Sequence, residues 1–242
     1  MNIIKLNAID STNRFLKDLS ATQNLDNFTV VVTENQLEGK GQRGAKWISE
    51  NGKNLTFSIL VHHSEITIKE IYLINIITSI TILDVLKTYD LEQLSIKWPN
   101  DILSENKKIC GILVENTIKS NGSIESIIGI GLNVNQNYFE NLPQASSLLA
   151  LKKKYFDKEE ILNAIITALA ANFSKSITAA QIWEKYHNLL FKKGIPTVFE
   201  NNTLEKFMGI IQGVSDTGKL QVLQEDDSIK EYDIKEIKML YY

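Results

Sequence analysis

Cysteine is almost absent: of 242 residues only Cys110 carries a thiol. An intramolecular disulfide and a four-thiolate zinc site are therefore excluded. Proline occurs three times and glycine twelve times, too rarely for a fibrous or low-complexity chain. Net positive charge is also missing. Twenty-six Lys and Arg against 29 Asp and Glu leave a formal charge of −3, which gives no overall basic field to hold a nucleic-acid backbone. Arginine is scarcer still, with Arg14 and Arg43 alone, so the placement of a guanidinium carries information. Long apolar runs are lacking as well. The N-terminal MNIIKLNAID has no signal-peptide core. The most apolar stretch, Ile71 to Leu86, is broken by Asn75, Thr78, Ser79, Thr81 and Asp84, too polar for a membrane span. A soluble cytoplasmic protein without a membrane partner is expected.

What is present reads as one sizeable core with a small appendage, since domains run to about 150 residues. Asp10-Ser11-Thr12-Asn13 offers oxygens to cap a helix with Phe15, Leu16 and Leu19 inward. Strands are expected at Phe28–Thr33, Leu55–Val61, Ser95–Lys97, Ile109–Glu115 and Glu125–Val134. Helical periodicity covers Ile68–Lys87 as one apolar stripe, Asp157–Phe173 behind an Asp cap, and about Gln181–Phe191. Beyond Lys192-Lys193-Gly194 the pattern changes to five short β-like runs between Thr197 and Leu240. Five strands in so short a tail suit a small closed barrel, which minimises exposed edges. The domains are thus read as 1–193 and 194–242, an α+β mixed sheet flanked by helices followed by the barrel.

Three of the glycines and one of the two arginines fall in Gly39-Lys40-Gly41-Gln42-Arg43-Gly44. The string matches G-x-G-x-x-G, yet a dinucleotide loop must open a helix, and here Ala45-Lys46-Trp47-Ile48 leads to another strand. A Walker A loop is excluded too, because Lys-Ser/Thr does not follow. What remains is a strand–loop–strand element with close backbone approach, three cations and an indole, suited to a phosphorylated ligand bearing a base. Lys97-Trp98-Pro99-Asn100-Asp101 reads as a rigid turn. A lysine-headed strand at 108–115 and Gly129-Ile130-Gly131-Leu132-Asn133 follow, the latter giving a ligand two places to touch backbone. The three histidines support no nucleophile–base set: His62 and His63 point oppositely along one strand, and His187 belongs to an aromatic helix.

Asp-Ser-Thr-Asn at 10–13, GKGQRGAKW at 39–47, KWPND at 97–101, KICGILVE at 108–115 and GIGLN at 129–133 together resemble the motifs of biotin–protein ligases, in family order. The tail resembles that family's SH3-like C-terminal domain. The resemblance implies activation of biotin by ATP and Mg²⁺ to biotinyl-5′-adenylate, then transfer to a lysine of a biotin carboxyl carrier domain. It implies biotin contacts at Ser11, Thr12, Gln36, Gly39, Lys40, Gly111, Leu113 and Gly129. It places ATP or the adenylate at Lys40, Gln42, Arg43, Trp47, Asn100, Lys108 and Asn133, with Trp47 stacking adenine. Lys108 would bridge carboxylate and α-phosphate, Arg43 would act with it, and Asp101 would orient the acceptor lysine; no metal ligand is implied. No serine or cysteine nucleophile is needed, because joining two anions is a task for cations and positioning.

Two departures stand out. Lys40 and Gln42 replace arginines usual in the family loop, losing the planar fork at one position and all charge at the other. Only about ten residues precede the Ser-Thr-Asn segment, too few for a winged-helix domain, so no operator DNA binding is expected. The alternatives are a lipoate or octanoate ligase or transferase, which shares the broader fold, and a non-enzymatic biotin-binding protein. No pattern specifies the oligomeric state, although edge strands could pair in a homodimer.

Overall fold

The computed structural model describes residues 2–63, 65–175 and 178–241. The chain begins β1 (Ile3–Ile9), α1 (Thr12–Thr22), β2 (Val30–Gln36), β3 (Leu55–His63), α2 (Tyr72–Lys87), β4 (Ser95–Lys97), β5 (Asp101–Ser104), β6 (Lys107–Ile118) and β7 (Ile124–Leu132). Seven strands form one mixed sheet in the order β1-β2-β3-β7-β6-β5-β4. β1 runs parallel to β2, and the other neighbours are antiparallel. Then come α3 (Leu148–Lys152), α4 (Lys158–Phe173) and α5 (Ala179–Leu189).

The two faces of this sheet are covered unequally. On one, α2 and α4 pack a large apolar core against Phe57, Ile59, Ile112 and Ile130. On the other, α1 covers a small core of Leu16, Val31, Leu60 and Ile127. A single three-turn helix cannot span seven strands, so part of that face is left open beyond it.

Helix α2 departs from the expected single stripe. Twelve of its sixteen residues are buried, all round the helix, as befits a helix walled in by α4, α5 and the sheet. Thr78, Ser79 and Thr81 are tolerated there because each hydroxyl donates to the carbonyl four residues back.

His63 lies at the end of β3, its Nε2 2.9 Å from Ser126 Oγ and its ring edge-on to Phe173. Burial, with repulsion from His62 second, lowers its pKa from 6.5 to about 4. The unfolded chain therefore takes up this proton first. Its contribution to stability is complete above pH 6.5 and is lost as pH falls towards 4, by about 3 kcal/mol. Urea melts at pH 7, 5.5 and 4 should show this slope, and His63→Gln should flatten it; an unchanged slope would place the acid sensitivity elsewhere.

The C-terminal strands β8 (Pro196–Asn201), β9 (Lys206–Val214), β10 (Leu220–Leu223), β11 (Ile229–Tyr232) and β12 (Ile237–Leu240) fall where the sequence placed five runs. They form an antiparallel sheet in the order β11-β10-β9-β8-β12. Among the described residues no ladder joins β11 to β12, so the sheet stays open where a closed barrel would have its seam. The residues between them bond instead to one another and to the glycine loop. The second sheet docks on the first through Trp98, whose Nε1 donates to Gly218 O at 2.9 Å, and through the edge-on rings of Phe191 and Tyr241.

Candidate active site

The open face carries two ranks of residues brought together by strand register. One rank runs Thr56–Gly131–Gly111–Asp101–Lys97 across β3, β7, β6, β5 and β4. The next runs Ser58–Gly129–Leu113. Glycine at 111, 129 and 131 removes three side chains from the middle of a packed sheet. The result is a trough, and a cavity of about 230 Å³ occupies it.

One end of the cavity is polar but neutral. Ser11 caps α1, and Thr12, Asn13 and Gln36 stand beside it. The Thr12 amide and hydroxyl both donate to Gln36 Oε1, at 2.9 and 3.2 Å. Fully buried Ser58 places its Oγ 2.7 Å from Thr12 Oγ1 and 2.6 Å from Asn13 Oδ1. Asn13 in turn donates to Glu115 Oε2 at 2.8 Å. The rotamers facing the cavity are thus held by a buried network. Midway, Leu113 and the Trp47 indole make an apolar waist.

The other end is cationic. Lys40, Lys46, Lys108 and Lys235 line it, with Asp101 as its single carboxylate. A β-bulge explains how Lys108 arrives there. Ile102 pairs with Cys110, yet Leu103 pairs with Lys108, so Ile109 is the extra residue and Lys108 is turned onto the Gly111 face. Its Nζ lies 2.6 Å from Asp101 Oδ1 and 5.5 Å from the centre of the Trp47 ring. Lys97 approaches the other Asp101 oxygen at 3.7 Å. Burial lowers the Lys97 pKa; Asp101 opposes that and Lys108 reinforces it.

A second cavity of about 360 Å³ adjoins the first and shares Lys46, Trp47, Asp101 and Lys108 with it. It adds aromatic faces from Phe139 and Tyr241, together with Asn133. Three buried polar atoms along these walls lack a partner: Gln42 Oε1, Trp47 Nε1 and Asn133 Oδ1. Unpaired groups of this kind are costly unless a ligand completes them.

Most of the residues singled out from sequence converge on this trough: Ser11, Thr12, Gln36, Lys40, Gln42, Trp47, Asn100, Asp101, Lys108, Gly111, Leu113 and Gly129 all line the first cavity. Asn133 lines the second. Gly39 lies beneath the loop, where an added Cβ would meet Trp47 O at 2.2 Å. Arg43 stands apart from both cavities, half exposed, with its Nη2 3.1 Å from Asp233 Oδ1. The loop itself is a small hairpin, closed by Trp47 N to Gly39 O and Gly41 N to Ala45 O. Sequence reasoning left Asn13, Ser58, Lys97, Ile234 and Lys235 out of the site. Asn13 and Lys97 stood inside motifs already noted, and Ser58 is a hydroxyl in an apolar strand; nothing marked Ile234 or Lys235.

Fold and site together define a ligand-binding domain whose trough is neutral and polar at one end and cationic at the other, beside a second compartment with aromatic walls. The chain belongs to the biotin/lipoate A/B protein ligase family, whose model matches residues 6–135. The bifunctional ligase/repressor BirA of Escherichia coli K12 is 28% identical over 236 residues, which are 95% of this chain and 71% of that protein. The biotin–[acetyl-CoA-carboxylase] ligase of Paracoccus denitrificans is 26% identical, over 87% of this chain and 90% of its own. Among solved structures, the Aquifex aeolicus biotin protein ligase in complex with biotin and ATP superposes with a TM-score of 0.80 at 27% identity, covering 100% of this chain and 99% of that one.

Proposed function

We propose that this protein is an ATP-dependent biotin–protein ligase. A carboxylate oxygen of biotin attacks the α-phosphorus of ATP, pyrophosphate leaves, and the biotinyl-5′-adenylate then gives its acyl group to a lysine amine of a biotin carboxyl carrier domain, releasing AMP. The observation that carries this reading is the graded cavity: a neutral polar end, an apolar waist and a cationic mouth opening on a second compartment. A urea needs both donors and acceptors, and Thr12, Asn13, Gln36 and Ser11 offer them. A lipoyl ring would leave that network unpaired, which disfavours lipoate.

Each chain residue then has a physical task. Lys108, at the wall common to both cavities, neutralises the acid and the α-phosphate as they approach. Trp47, Phe139 and Tyr241 offer a base its stacking faces. The loop excludes water from the mixed anhydride, which hydrolysis would otherwise waste. Asp101 is the group proposed to orient the incoming amine and to receive its proton. Magnesium accompanies ATP in such chemistry. Among the described residues Asp101 is the one carboxylate on either cavity, already paired with two ammonium groups, so the donor set suits an ion carried in on the nucleotide's own phosphates.

Mixing the protein with biotin, ATP and Mg²⁺ should release pyrophosphate. Adding a carrier domain should then add the mass of one biotinyl group to a single lysine. Lipoate supporting pyrophosphate release better than biotin would reverse the choice of acid, and biotin binding without pyrophosphate would leave a binding protein.

A further inference from the structure

The turn between β11 and β12 reaches from the second sheet into the cavity: Ile234 and Lys235 line it beside Lys40 and Gln42. That turn is held by its own bonds, Asp233 N to Glu236 Oε2 at 2.7 Å and Ile234 N to Asp233 Oδ1 at 2.8 Å. Lys235 itself is held at φ +74°, a left-handed conformation that a lysine adopts only where its surroundings impose it. Across from it the loop has turned its guanidinium outward. Arg43 pairs with Asp233, outside both cavities, while the residue pointing inward is neutral Gln42, whose Oε1 is buried and unpaired. The Lys235 ammonium donates to the Arg43 carbonyl, while Lys235 itself lines the first cavity. Charge has therefore changed places between the domains: the loop's arginine faces the second sheet, and a lysine of the second sheet faces the site.

We propose that Lys235 is a further adenylate-binding residue, supplied by the second domain, and that Asp233 positions it by fastening the loop through Arg43. This rests on the ligase reading and adds a cation to its anion site. The ammonium would exchange the Arg43 carbonyl for a phosphate oxygen, gaining a charge-assisted hydrogen bond. The exchange costs little, because an exposed contact of this kind contributes weakly to stability.

The test is the release rate of preformed biotinyl-5′-adenylate, followed by stopped-flow in the full chain. Lys235→Ala should release it roughly tenfold faster or more, the loss expected for a charged hydrogen bond. Lys235→Arg, which keeps the charge, should stay within about threefold of the original rate. Melting of the ligand-free proteins should be unchanged, since the effect lies in the complex. Release from Lys235→Ala at the original rate would overturn the proposal, as would Lys235→Arg releasing as fast as Lys235→Ala. Failure of the unmodified protein to form any adenylate would instead strike the ligase reading itself.

Discussion

Lys108→Ala is expected to fold, to keep most of its affinity for biotin, and to lose adenylate formation by about 10²–10³-fold, the scale of removing one preorganised charge-stabilising group. The position of this lysine is set by backbone features that the substitution leaves alone. Its N–H donates to Gln144 O at 2.7 Å, its carbonyl accepts from Ser146 N at 2.9 Å, and the bulge at Ile109 turns its side chain onto the open face. What disappears is the ammonium between the two cavities. Asp101 then keeps Lys97 as its partner, at 3.7 Å. The neutral end of the trough is held by Ser58, Asn13 and Glu115, through bonds that do not involve residue 108. Binding of biotin and activation of biotin should therefore separate in this variant. Titration calorimetry with biotin alone and a pyrophosphate-release assay would show it. Pyrophosphate release within a few-fold of the original rate would remove Lys108 from the chemistry. Lys108→Arg should recover part of the rate, because charge returns without the compact shape.

The same lysine shows what a sequence conveys and what it withholds. Its presence at the head of a strand and its motif were legible, as were the glycines that cut the trough and the caps that start α1 and α4. These signals are local: a turn, a cap and a period each depend on a few neighbouring residues. The bulge was not legible, because one extra residue in a ladder depends on the partner strand. Strand β1 (Ile3–Ile9) was missed for a related reason. It is an edge strand with mixed polar and apolar residues, and pairing with β2 rather than its own pattern makes it a strand. Strand β5 (Asp101–Ser104) was hidden behind its rigid turn and is fixed by β4 and β6 on either side. Burial on every side of α2 could not come from its periodicity, since that required knowing that α4 and α5 would cover it. Ile234 and Lys235 lie furthest from any local signal: their place in the site depends on how one sheet docks on another.

Gly131→Ala and Gly129→Ala should fail in opposite ways, although both add one methyl to the same strand. At 131 the new Cβ falls 2.3 Å from Trp47 Cε2 and 2.5 Å from Cζ2, so the indole must leave. It can leave cheaply, because it rides on a hairpin whose next residue, Ile48, is 71% exposed. Stability should fall by no more than about 1 kcal/mol, at the low end for an overpacked site. Ligands bear the loss instead. An indole giving roughly half of its ~200 Å² to ligand contributes about 2–3 kcal/mol, or about fifty- to hundredfold in affinity. Trp47 lines both cavities, so biotin and ATP should weaken together. At 129 the new Cβ falls 2.2 Å from Asn13 Oδ1. Asn13 is buried and bonded to Glu115, with Ser58 against it, and has nowhere to go. That variant should lose about 1–3 kcal/mol of stability and bind biotin poorly, yet bind ATP as before, since the second cavity lacks all three residues. Thermal melts with separate titrations of the two ligands distinguish these cases. Equal ATP weakening in both variants, or full biotin affinity in Gly131→Ala, would show that Trp47 is not the wall between the compartments.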